Sequence, residues 1–101
     1  MEKKTVIIDG NNFQDLGSFY DEMNRILTRD LNWKTGHNLD AFNDLLCGGF
    51  GVYDYEEHIT IIWQNFSKSR TDLGDELCRK LIEIIKDHKH IDFLKYDFNG
   101  A

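Results

Sequence analysis

Proline is absent from this chain, and cysteine and methionine occur only twice each. Without proline no cis X-Pro bond can form, so prolyl isomerisation cannot slow refolding. Cys47 and Cys78 have no metal-ligand spacing, and free thiols in a reducing compartment are expected rather than a disulfide. Long hydrophobic runs are missing as well. After Met1-Glu2-Lys3-Lys4 only Thr5-Val6-Ile7-Ile8 precedes Asp9, too little for the core of a signal peptide or for a membrane span, so a cytoplasmic protein without membrane contacts is expected. There are no internal repeats, low-complexity tracts or linkers, and 101 residues fit a single domain over 1–101. Positive charge is scarce. Twelve Lys and Arg against 18 Asp and Glu leave a net charge of −6, which disfavours direct nucleic-acid or anionic-membrane binding and favours a basic partner.

What the chain does have is enough apolar material for a real core, 41% of its residues, with seven Phe, four Tyr and two Trp. Thr5-Val6-Ile7-Ile8, closed by Asp9-Gly10, predicts a central strand buried on both faces and then a turn. From the cap residue Asp15 onward, Leu16, Phe19, Tyr20, Met23, Ile26 and Leu27 recur as the stripe of an amphipathic helix. A polar connection over 28–35 follows, with Trp33 expected to pack into the core. Ile59-Thr60-Ile61-Ile62-Trp63 predicts a second buried strand, and Asn65 to Ser69 a short helix or turn. Leu73, Leu77, Leu81, Ile84 and Ile85 form a helical stripe behind the acidic first turn of Asp72, Asp75 and Glu76, with Lys86 and His88 at its end. Ile91 to Phe98 reads as a third strand, suited to an edge. Strands separated by helices imply crossover connections, hence an α/β fold with a three-stranded parallel sheet and about four helices.

The segment from Gly36 to Gly49 predicts one short helix with both ends marked, Asn38 as N-cap and Gly48 just past the C-terminus. Leu39, Ala41, Phe42, Leu45 and Leu46 fall on one side, and Asp40, Asn43, Asp44 and Cys47 on the other. Asp40 and Asp44 are like charges at i,i+4, which costs an isolated helix a few tenths of a kcal/mol. Only Asp40 recovers part of that near the positive end of the helix dipole. A carboxylate pair that helix physics disfavours is a candidate for work outside the fold, although a plain solvated acidic face shares the same pattern. The following loop, Gly48 to Glu57, mixes glycine, aromatics and acids. It suits an interface rim, with Phe50 among the candidate contacts, and equally suits a plain surface loop.

Gly36-His37-Asn38-Leu39-Asp40-Ala41-Phe42-Asn43-Asp44-Leu45-Leu46 resembles the G-x-N-L-D-A-L-x-D-x-L segment of the barstar family of intracellular ribonuclease inhibitors. The order of strands and helices matches that family along nearly the whole chain. The resemblance implies a protein, not an enzyme, whose acidic helix plugs the active site of a basic ribonuclease or nuclease toxin. It implies no cofactor or metal and a monomer when free. It places the partner-binding set on Lys34, Thr35, Gly36, His37, Asp40, Asn43, Asp44, Phe50 and Asp87. Three departures alter that surface: Lys34 and Thr35 stand where the family has two tyrosines, Asn43 where it has tryptophan, and His37 where it has an acid. They imply a nuclease with a differently shaped mouth.

Two rival functions share parts of this pattern. Val6-Ile7-Ile8-Asp9-Gly10-Asn11-Asn12 resembles the first strand of PIN-like (NYN-type) ribonucleases, in which an aspartate at the strand end binds Mg²⁺ with other acids. The second strand here ends Trp63-Gln64-Asn65 without a carboxylate, and Asp9-Gly10 is explained more simply as a turn. A generic acidic adaptor would share every feature except the central motif. His88 and His90, at a helix end and the next loop, are expected to be solvent-facing or locally satisfied rather than metal ligands.

Overall fold

Three short extended segments, the first two rich in β-branched residues, pair in parallel, because each is separated from the next by helical chain that must cross over the sheet. The computed structural model describes residues 4–29 and 37–97. In chain order they form β1 (Lys4–Asp9), a 3₁₀ turn (Gly10–Asn12), α1 (Leu16–Leu27), α2 (Leu39–Cys47), β2 (Ile59–Gln64), α3 (Phe66–Leu73), α4 (Asp75–Lys86) and β3 (Ile91–Lys95). The sheet order is β1-β2-β3, all parallel, with Lys4 opposite Ile59 and Ile59 opposite Ile91. The α/β architecture expected from the sequence, three parallel strands with four helices, is the one observed.

The position of β1 differs from expectation. It is an edge strand and β2 is the central one. Val6 and Ile8 are buried, whereas Ile7 is 36% exposed and Thr5 is open. The register lines Ile7 up with Ile62 and Ile62 with Leu94, a row across the open face of the sheet. A run of four apolar-leaning residues carries no mark of which face the helices cover, so an edge strand with one open face looks the same in sequence as a doubly buried one.

The covered face is aromatic. Trp63 stacks on Phe19 at 5.7 Å and meets Phe66 edge-on at 5.2 Å, while Phe19 meets Phe42 of α2 at 5.3 Å. The buried indole N–H donates to Ser69 Oγ at 3.0 Å, so no buried donor is left unpaired there. Asp15 caps α1 as expected, its carboxylate accepting from the Ser18 N–H at 2.8 Å while Ser18 Oγ accepts from the Asp15 N–H at 3.1 Å.

The boundary between the last two helices also departs from the sequence pattern. The short helix or turn expected at 65–69 is a helix, the start of α3, and it runs on through Asp72 and Leu73, residues expected to open the last helix. Gly74, at φ +91°, breaks the chain between them, and α4 begins at Asp75. Trp33 lies outside the described residues.

Candidate functional site

Helix α2 forms with the two caps its sequence marks. The Asn38 side chain accepts from the Ala41 N–H at 2.7 Å, and Gly48 takes φ +90° while its N–H donates to the Leu45 carbonyl at 3.1 Å. A Cβ at Gly48 would lie 2.5 Å from the Asp54 carbonyl and 2.7 Å from the Tyr53 ring, so the stop is fixed by packing as well as by φ. Phe42, Leu45 and Leu46 are buried against the core. Asp40, Asn43 and Asp44 are exposed, and Cys47, expected beside them, is half-buried.

The C-terminal end of α2 is held by groups that the sequence did not connect with it. Tyr53, only 3% exposed, donates its hydroxyl to the Leu46 carbonyl at 2.9 Å and approaches the Leu45 carbonyl at 3.3 Å. Burial pushes the Tyr53 phenol above its ordinary range, keeping it a donor. His90 Nε2 donates to the Leu46 carbonyl at 3.0 Å, and the Glu56 N–H donates to the Cys47 carbonyl at 2.7 Å. Carbonyls that a helix end leaves without intrahelical partners are thus satisfied from two separate loops. The 48–57 loop is therefore partly an anchor rather than only a surface rim: Tyr53 is inside, and Phe50 is half-buried against the core cluster. Nothing in the local sequence distinguishes the inward Tyr53 from the 67% exposed Tyr55.

Two predicted contact residues are already occupied within the chain. His37 pairs with Asp21 at 2.8 Å and stacks on Tyr20 at 5.5 Å, which ties the start of α2 to α1. Asn43 Oδ1 accepts from His88 Nε2 at 2.8 Å, which ties the exposed face of α2 to the turn after α4. Burial, then the neighbouring His90, lowers the His88 pKa, while Asp87 and Glu56 oppose that shift. The imidazole is thereby held neutral near pH 7. Asp87 is the C-cap of α4 and exposed, and Glu56, Asp87, His88 and His90 line one shallow cleft of about 400 Å³. Asn43 is thus joined through His88 to the cleft that Asp87 lines, whereas Lys34, Thr35 and Gly36 lie outside the described residues.

Asp40 and Asp44 make no hydrogen bond or ion pair with any described residue. Cys47 sits beside them, its thiol pushed up by burial, then by the charges of Asp44 and Glu56, which leaves it protonated and poorly nucleophilic. Asp9 accepts from the Asn11 N–H at 2.9 Å and from Asn65 Nδ2 at 2.8 Å, a turn-closing role. Among the described residues no group of three or more His, Cys, Asp or Glu side chains is placed to hold a metal ion, and no helix is long and apolar enough to cross a membrane.

Fold and site together define a small α/β protein that displays the acidic face of a short, doubly capped helix. The family model described as Barstar (barnase inhibitor) matches residues 3–95, and the chain belongs to the barstar family. Members of this family are inhibitors rather than enzymes, and their partners are ribonucleases. No curated protein was matched.

Proposed function

We propose that this chain inhibits a basic ribonuclease or nuclease toxin in the cytoplasm by laying the exposed face of α2 into the enzyme's active site. The observation that carries this is the pair Asp40 and Asp44, exposed on a rigidly capped helix and unpaired with any described group of their own chain. A ribonuclease holds its scissile phosphate with Arg, Lys or His⁺ in a concave, partly desolvated site, and such a site is already a carboxylate receptor. Asp44 takes the phosphate position and accepts charge-assisted hydrogen bonds, while Asp40 lies at the rim. Asn43, oriented by His88, fills the space between them and Asp87. His37 borders the same patch, and Lys34, Thr35, Gly36 and Phe50 complete the contact set.

The test captures nuclease activity from the native host with the intact chain and measures its inhibition by wild type and by Asp44→Ala. Truncating a central anchor of this type costs about 2 kcal/mol of binding or more. Thermal stability is expected to stay level or rise slightly, because the i,i+4 repulsion with Asp40 is relieved. Lost stability with undiminished inhibition would make Asp44 a structural residue and end the proposal.

A further inference from the structure

The cations of this acidic chain are unevenly placed. Arg70 of α3, Arg79 and Lys86 of α4, and Lys95 of β3 line one cleft of about 460 Å³ whose wall includes Phe66 and Ile82. Four of the chain's 12 Lys and Arg therefore meet at a single place in a protein of net charge −6. Two carboxylates, Asp75 and Glu83, share the lining, so cations outnumber acids there.

Their engagement differs. Arg70 is occupied, its Nε donating to Asp75 Oδ1 at 2.7 Å. Arg79 and Lys86 make no hydrogen bond or ion pair with any described residue. Lys95 holds its ammonium 4.7 Å from the centre of the Phe66 ring, an arrangement that keeps the charge at the mouth of the cleft beside an aromatic face. The fold alone assembles the group, because α4 crosses back to β3 and brings its exposed stripe alongside residues of α3.

We propose that this cleft binds an organic phosphate of nucleotide size. Guanidinium and ammonium groups with unused hydrogen-bond donors are the usual receptors for phosphate oxygens. The half-buried Ile82 side chain supplies an apolar wall against which the organic part of the ligand can pack, beside Phe66, whose ring is only 6% exposed. The volume falls within the range of small-molecule sites. No residue of α2 takes part, so this site and the nuclease-binding face stand or fall independently.

The test titrates the isotope-labelled chain with AMP, adenosine and inorganic phosphate, following backbone and side-chain resonances. AMP is expected to give saturable shifts centred on Phe66, Arg79, Ile82 and Lys86, with adenosine and phosphate each binding at least about tenfold more weakly. The double variant Arg79→Gln, Lys86→Gln alters only exposed side chains that make no hydrogen bond or ion pair with a described residue, so it should keep its fold and lose about tenfold or more in AMP affinity. Equal binding of adenosine and AMP, equal binding of phosphate and AMP, shifts spread over lysines elsewhere, or unchanged affinity in the double variant would each overturn the assignment.

Discussion

Glu22 is the one carboxylate of α1 that the fold encloses, at 6% exposure, and its surroundings show why it is tolerated there. Arg25 donates from Nε at 2.8 Å and from Nη2 at 2.6 Å, and Asn12 Nδ2 donates at 2.8 Å. The Arg25 hydrogen bonds lower the Glu22 pKa below its ordinary 4.5 despite the opposing effect of burial. A folded-state pKa below the unfolded one means that the pair's stabilisation is fully present above about pH 4.5 and is lost as pH falls through the folded value. Glu22→Gln is expected to lower stability at pH 7 by about 1–3 kcal/mol, since Arg25 loses the charged half of its partner. In urea unfolding the gap between wild type and variant closes as pH drops below the ordinary glutamate range. A gap that stays constant from neutral to acid would show that shape, not charge, holds this corner of α1.

Elements were legible where their ends carry chemistry of their own. Asp15, Asn38 and Gly48 announce α1 and α2 because caps are local devices, readable without knowing what lies across the core. The edge position of β1 and the junction of α3 with α4 were not legible. The first depends on which sheet face the helices choose, and the second on Gly74 breaking a stripe in which Leu73 and Leu77 keep helical spacing. At the site, the two aspartates stood out by their like-charge spacing. The anchors Tyr53 and His90 did not, since a loop residue's partner is set by tertiary folding. Tyr53→Phe tests that hidden part: removing the hydroxyl that caps the last turn of α2 should cost about 0.5–1.5 kcal/mol. It should also speed amide exchange in that turn more than in α4. Equal acceleration in both helices would mean that the hydroxyl contributes only to global stability.

Charge is unevenly placed over the molecule: a net charge of −6, two acids on α2 without a hydrogen-bond or ion-pair partner among the described residues, and a third of the Lys and Arg lining the α3–α4–β3 cleft. Such a distribution leaves the α2 side without compensating cations among its described hydrogen-bond and ion-pair partners, and under the proposed function the field of that side is what steers a basic enzyme before contact. For the captured nuclease, raising salt from about 0.05 to 0.5 M should slow association by an order of magnitude or more, because the Debye length shrinks from over 10 Å to about 4 Å. Dissociation should change far less. Asp40→Asn, a rim charge, is expected to reduce the association rate and flatten its salt dependence, whereas Asp44→Ala should act chiefly through faster dissociation. Rapid-mixing kinetics separate the two. If association were insensitive to salt, or if both variants acted on the same rate constant, the division of labour between a steering aspartate and a seated one would be wrong, and α2 would have to be recognised by shape alone.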